Sequence, residues 1–163
     1  MNILITLRPA EPQDNEDIYR IHSKAVDFTC RESYTPTIRQ VWLSKIPADS
    51  YAEITGKTNK KKLYVIEYKE KIQGFCQLNP EKSQLEALYV HPDLHNQGLG
   101  TAMLRHIEEQ AIRENLNFLK LYSSLNAVGF YKLNGYEEIT QASLTIDNET
   151  QTEIQCVLMR KYL

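Results

Sequence analysis

The chain is poor in the residues that would staple or anchor it. Its three cysteines, Cys30, Cys76 and Cys156, are odd in number, far apart and without C-x-x-C spacing. That argues against a disulfide framework or a zinc site and for reduced, buried thiols. No apolar run approaches the roughly 18 residues needed to span a bilayer. The opening Met1-Asn-Ile-Leu-Ile-Thr-Leu-Arg-Pro has neither a basic stretch nor a small-residue cleavage site. It reads as a first strand and not a signal peptide, so a cytoplasmic protein without a membrane partner is expected. The net charge is only −2, which removes the basic footprint that nucleic-acid binding requires. Lys57 with Lys60-Lys61-Lys62 is a local basic cluster, read as a solvated loop ahead of a strand.

What remains is an ordinary globular composition, 42% apolar and 25% charged over 163 residues, enough for one domain over residues 1–163 and too little for two. A first strand is expected over residues 3–7, stopping at Arg8-Pro9. Asp14 then suits the N-cap of a helix whose apolar positions Ile18, Ile21, Ala25, Val26 and Phe28 follow the 3.6-residue period. Thr35-Pro36 opens a second helix carrying Ile38, Val41 and Trp42, the proline suiting a first helical turn. A short third helix is expected over residues 48–55.

From Lys61 the period changes to two. Residues 63–68 and 72–78 read as a hairpin turning at Lys69-Glu70-Lys71, and residues 85–90 as the next strand, ended by His91-Pro92. A long helix follows over residues 97–115, with Leu99, Met103, Ile107 and Ala111 on one face and the pairs Arg105/Glu109 and Glu109/Arg113 on another. A short strand from Phe118 to Tyr122, a short helix over residues 127–133 closed by Gly135, and a hairpin of residues 136–146 and 153–159 complete the order β-ααα-βββ-α-β-α-ββ. That order implies one α/β sheet with helices on both faces.

The strongest local signal is His95-Asn-Gln-Gly-Leu-Gly-Thr101 at the start of the long helix. Two glycines two apart let the backbone approach a ligand closely. The first amides of the helix lack intrahelical acceptors, and the helix dipole favours negative charge there. Together they suit a pyrophosphate. A dinucleotide fingerprint would need a third glycine where Met103 stands, and a phosphate-binding loop of the Walker type would need Gly-Lys-Thr/Ser where Thr101 directly follows Gly100. An ordinary glycine-rich helix start is the plain alternative. His91 and His95 stand four apart across a proline with no third ligand following, so no metal is expected.

The stretch Val90-His-Pro-Asp-Leu-His-Asn-Gln-Gly-Leu-Gly-Thr-Ala-Met-Leu resembles motif A of the GNAT superfamily of N-acetyltransferases, R/Q-x-x-G-x-G/A. Phe130-Tyr-Lys-Leu-Asn-Gly-Tyr136 resembles the ending of its motif B, and Leu7-Arg-Pro-Ala with Asp14 and Ile18 its opening. Ala25-Val26, Thr29, Tyr34-Thr35-Pro36, Ile38 and Trp42 are similar to a bacterial subgroup of acetyltransferases. Two positions depart from the pattern: His95 stands where Arg or Gln is usual, and Ser124, with Asn126 two residues on, where Asn is frequent.

The resemblance implies a GNAT-type acyl-CoA N-acyltransferase fold, with a mixed central sheet splayed between its fourth and fifth strands. It implies acetyl-CoA as donor and cosubstrate, no metal, and a small amine or peptide amine as acceptor, acetylated by direct attack. The amides of Gln97, Gly98, Gly100 and Thr101, within the loop that also carries His95, Asn96 and Leu99, would hold the pyrophosphate. The main chain of Leu88, Tyr89 and Val90 would pair with the pantetheine arm as an added strand. Phe130 and either Ser124 or Asn126 complete the coenzyme site. Glu86, its side chain alternating away from Ala87, is the candidate general base, and Tyr131 the candidate acid for the leaving thiolate. Phe28, Tyr34 and Trp42 are candidates for the acceptor pocket. A non-catalytic CoA-binding module and a plain interaction domain are the other readings, and the chain is expected to be a monomer or a homodimer paired through its closing hairpin.

Overall fold

Alternating apolar and polar side chains build the centre of the molecule. In the computed structural model, which describes residues 4–46, 51 and 60–163, β2 (Lys62–Tyr68), β3 (Lys71–Asn79) and β4 (Gln84–Val90) form an antiparallel meander. β1 (Ile5–Pro9) adds to the outer edge of β2. Beyond β4 come β5 (Phe118–Ser124), β7 (Thr152–Tyr162) and β6 (Glu137–Asp147), giving one seven-stranded sheet in the order β1-β2-β3-β4-β5-β7-β6. Among the described strands only the β4/β5 contact is parallel, and its register holds a single pair, Gln84 with Lys120. This is the mixed, splayed sheet of the GNAT-type fold.

Helices cover both faces. α1 (Asn15–Lys24) packs Ile18 and Ile21 with Leu63, Val65, Ile72 and Phe75 on one face. α2 (Pro36–Ser44) lies over the far end of that face, where Ile38 and Trp42 pack against Cys30, Tyr34 and Ile154. On the other face α3 (Leu99–Arg113) buries Leu99, Met103, Leu104, Ile107 and Ala111 against Ile66, Cys76, Leu78, Leu119, Leu121 and Met159. α4 (Val128–Leu133) adds Tyr131 to the same core. Gly74 on β3 permits this packing. A Cβ there would stand 2.8 Å from the carbonyl oxygen of Tyr89, 2.9 Å from Ile66 Cγ2 and 3.0 Å from Met103 Cε. All three cysteines are free thiols, and all are buried. Among the described residues no helix is long and apolar enough to cross a membrane.

Several local expectations change. The first strand runs through Arg8 and Pro9, because β1 is an edge strand on which proline's missing donor costs no ladder bond. Asp14 does not cap α1. Its carboxylate accepts from the Glu11 amide at 2.8 Å and takes both guanidinium branches of Arg8, at 2.7 and 3.0 Å. α1 gives way at Ala25–Thr29 to a π-helical turn, whose extra residue rotates Phe28 out of the apolar stripe, leaving it 53% exposed beneath the Arg31 guanidinium. Neither Arg105/Glu109 nor Glu109/Arg113 closes to ion-pair distance; α3 instead pairs Glu108 with Lys161 at 2.9 Å. Exposed pairs of this kind gain too little to hold two long side chains together. α2 opens at Thr35-Pro36 as expected, and Thr35 caps it by accepting from the Ile38 amide. The helix expected over residues 48–55 lies outside the described residues, apart from buried Tyr51.

Candidate active site

Past the Gln84–Lys120 pair, β4 and β5 separate, and the gap opens into a cavity of about 730 Å³. Leu88, Tyr89 and Val90 line one wall, and Ser124, Asn126 and Ala127 the other. The N-terminal end of α3 contributes His95, Asn96, Gly98, Leu99, Gly100 and Thr101, with Leu94 just ahead of them. α4 closes one side through Phe130, Tyr131, Leu133 and Asn134, and the end of the π-turn closes the other through Ala25, Thr29 and Cys30.

The loop geometry follows from its residues. The His91 ring accepts the Asp93 amide through Nδ1 at 3.2 Å, fixing the 3₁₀ turn Pro92–Leu94. Burial, partly countered by Asp93, lowers the pKa of His91, so its ring serves as a neutral acceptor. Asn96 and Gly98 take positive φ, 62° and 83°, and α3 starts on Gly98, whose carbonyl accepts the Ala102 amide at 3.0 Å. The amides of Leu99, Gly100 and Thr101 are therefore left without helical acceptors and face a cavity. No atom lies within 4 Å of the position a Cβ would take on Gly98, whereas one on Gly100 would stand 3.3 Å from the Phe130 ring. Across the mouth, Thr29 Oγ1 lies 3.5 Å from His95 Nε2.

The sheet contributes a second element. Gln77 pairs with Ala87 and Leu78 with Leu85, so Glu86 is the extra residue of a β-bulge. Leu85 and Leu88 both pack toward α3, while Ala87 packs toward α1. The bulge puts Glu86 on the α1 face beside Ala87, contrary to the alternation expected from sequence. Its carboxylate accepts from Gln77 Nε2 at 2.5 Å and Asn79 Nδ2 at 2.8 Å, and Lys61 Nζ lies 2.9 Å away. Burial pushes the Glu86 pKa up, but Asn79, Lys61 and Gln77 outweigh it, and the carboxyl sits below its ordinary value. Glu86 is outside the cavity lining.

Tyr131 does line the cavity, and burial, assisted by Cys76, raises its phenol well above the ordinary value, so it stays protonated at neutral pH. Burial, opposed by Arg39, pushes the Cys30 thiol up to about 11. Beneath Tyr89 lies His22, ring centroids 4.3 Å apart, with Nδ1 2.5 Å from the Tyr51 hydroxyl and a pKa pushed down to about 4 by burial. Among the described residues no group of three His, Cys, Asp or Glu side chains could hold a metal ion.

The structure thus gathers Leu88, Tyr89, Val90, His95, Asn96, Gly98, Leu99, Gly100, Thr101, Ser124, Asn126, Phe130 and Tyr131 around one cavity, and leaves Gln97 and Glu86 off its lining. Phe28, Tyr34 and Trp42 do not line it either. Tyr34 is a buried tie: its hydroxyl donates to the Gln155 carbonyl at 2.6 Å and accepts the Leu125 amide at 3.0 Å, and Trp42 packs edge-on against its ring. Sequence reasoning missed Ala25, Thr29 and Cys30, which stand at the start, at the end and just past the π-turn. It also missed Leu94, Ala127, Leu133 and Asn134, which lie inside or beside the segments it had singled out.

Solved structures share this fold. A family model described as an acetyltransferase (GNAT) domain matches residues 26–161. A search of curated protein sequences finds no match. Among solved structures, a GCN5-related N-acetyltransferase from Rhodopseudomonas palustris superposes with a TM-score of 0.86 at 23% identity, covering 100% of this chain and 99% of that one. The PaiA N-acetyltransferase from Thermoplasma acidophilum, in complex with coenzyme A, gives 0.72 at 18% identity, covering 99% and 100%. The ribosomal-protein-alanine N-acetyltransferase from Brucella melitensis gives 0.72 at 17%, covering 97% and 99%.

Proposed function

Because the chain belongs to the GNAT family of acetyltransferases, we propose that it transfers the acetyl group of acetyl-CoA to a primary amine by direct attack, without a covalent enzyme intermediate. The observation that carries this reading is the cavity between β4 and β5, which opens onto the unpaired amides at the start of α3. The coenzyme A bound to the Thermoplasma relative supports it.

In this reading the amides of Gly98, Gly100 and Thr101, which line the cavity, hold the pyrophosphate, helped by the α3 dipole. The main chain of Leu88, Tyr89 and Val90 takes the pantetheine arm, and one of those amides polarises the thioester carbonyl as an oxyanion donor does. Phe130 packs beside the coenzyme, and Ser124 or Asn126 bonds it. His95 meets the phosphates as a single ring nitrogen and not as a guanidinium fork.

A primary amine of pKa about 10.4 must shed a proton before attack, at a cost of roughly 4–5 kcal/mol at pH 7. Glu86 takes that proton through water, being ionised at neutral pH and set back from the cavity. The attacking nitrogen forms its bond to the carbonyl carbon, the carbon–sulfur bond breaks, Tyr131 protonates the departing thiolate, and the proton the nitrogen sheds on becoming an amide returns to the Tyr131 phenolate through water. Such a proton transfer is typically worth about 10²–10⁴-fold.

Isothermal titration with acetyl-CoA, CoA and NADH tests the donor half: binding of the first two alone supports it, and binding of neither overturns it. An amine panel assayed by CoA release tests the transfer. One observation favours a second reading, a CoA-binding sensor without turnover. The three donors held on Glu86 make it a weak base. Tight CoA binding with no transfer to any amine would select that reading.

A further inference from the structure

The sheet face that carries Glu86 also carries a pair of cations that form no ion pair among the described residues. Leu119, Leu121 and Met159 are buried against α3, so their strand neighbours Lys120 and Arg160 project from the opposite face. The two are direct register partners across β5 and β7. Like charges placed so are destabilising for the sheet. Among the described residues neither forms an ion pair, although Glu137 on β6 stands opposite Arg160. Their neighbours are paired: Lys161 holds Glu108 at 2.9 Å, Lys132 holds Glu138 at 3.2 Å, and Lys61 holds Glu86. Both cations are half-buried, and the Arg160 guanidinium is steadied over the Tyr162 ring at 4.8 Å.

Their position relates to the proposed chemistry. Lys120 is the register partner of Gln84, two residues before Glu86 on the adjacent strand. With strands about 4.8 Å apart and about 3.3 Å per residue, the cation pair starts about 8 Å from Glu86. From Lys120 the same face leads through Tyr122, 37% exposed, to Ser124 in the cavity wall. An anion at the cation pair and a nucleophilic amine beside Glu86 would span that separation of about 8 Å.

We propose that Lys120 and Arg160 form an anion subsite for the acceptor, so that the preferred substrate is an amine bearing a carboxylate or phosphate about 8 Å from its nitrogen. This rests on the transfer reading above. The test compares acetylation of 6-aminohexanoate, 6-aminohexyl phosphate and the neutral hexylamine by the full chain. The anionic amines should show kcat/KM about tenfold or more above hexylamine, the size expected of charge-assisted hydrogen bonds. The advantage should lie in KM and shrink as salt is added. A preference confined to one anion identifies the group and supports the subsite equally. In K120Q/R160Q the preference should vanish through KM, and K120R/R160K should restore it. Equal use of anionic and neutral amines by the unaltered protein, or a preference that survives in K120Q/R160Q, overturns the subsite and leaves acetyl transfer standing. Absence of transfer to all three amines by protein that binds acetyl-CoA overturns the transfer reading and this proposal with it.

Discussion

The carboxylate of Glu86 and the ammonium of Lys61 lie 2.9 Å apart, on the sheet face away from α3. Asn79 and Gln77 complete the carboxylate's partners, so its pKa falls below the ordinary value despite burial. Glu86→Gln should lower kcat about 10²-fold, the low end of general-base effects, with acetyl-CoA affinity unchanged. Because the carboxylate is already ionised, the acid limb of the wild-type pH–rate profile above pH 5 should track the acceptor amine and not Glu86. An inflection near pH 6–7 that disappears in the Gln variant would contradict this assignment.

Tyr131→Phe removes only a hydroxyl from a buried cavity wall. Transfer should slow about 10²–10⁴-fold while acetyl-CoA affinity and thermal stability hold nearly steady. Parallel losses in rate, affinity and melting temperature would instead mark a packing tyrosine.

Gly98 and Gly74 separate conformation from contact. Gly98 has φ of 83° with open space around its missing Cβ. Gly98→Val should therefore fold, at a cost of about 1–2 kcal/mol for the left-handed backbone, yet weaken acetyl-CoA binding at least about tenfold by filling the anion's approach. Titration calorimetry reads this directly, and unchanged affinity would rule out the loop as the pyrophosphate site. At Gly74 the obstacle includes the carbonyl oxygen of Tyr89, which cannot swing aside. Gly74→Ala should destabilise the fold by about 1–3 kcal/mol in urea titration, the usual size of an overpacking effect.

His22 should give stability a pH slope. Its folded pKa of about 4 lies below the unfolded value of about 6.5. Between those values the unfolded chain binds the proton and the folded chain does not, so stability falls as pH drops from 6.5 toward 4. The loss should be on the order of 1–3 kcal/mol. His22→Phe should flatten that slope in denaturant titrations at pH 7 and pH 5; an equally steep slope in the variant would show that another group is responsible.

The legible parts of this chain were those written in short-range patterns. The α3 stripe of Leu99, Met103, Ile107 and Ala111 and the β2–β3 hairpin rest on periodicity, and the structure realises both. The glycine loop and the Phe130–Tyr136 segment rest on local motifs, and they meet at one cavity, the segment through Phe130, Tyr131, Leu133 and Asn134, while Tyr136 packs in the core beside Tyr131. What escaped is long-range or lies in a broken period. The π-turn at Ala25–Thr29 adds a residue that no polarity pattern announces, so Thr29 and Cys30 were missed and Phe28 was placed inward. The bulge at Glu86 likewise reverses one side chain without altering the apolar pattern around it. Tyr34 is an aromatic near the right helices whose hydroxyl ties down β7, a partner 121 positions away.

The lone register pair between β4 and β5 also bears on solubility. Strands that end pairing early leave bare N–H and C=O rows, the template on which foreign chains aggregate. Here two such rows lie inside the sheet, facing each other across a gap walled by α3, α4 and the π-turn. A slender unbranched guest can enter that slot, whereas a second protein's strand, flanked by its own side chains, cannot. In the reading proposed above, that slot leaves the adhesive rows to the pantetheine arm and screens them from other polypeptides.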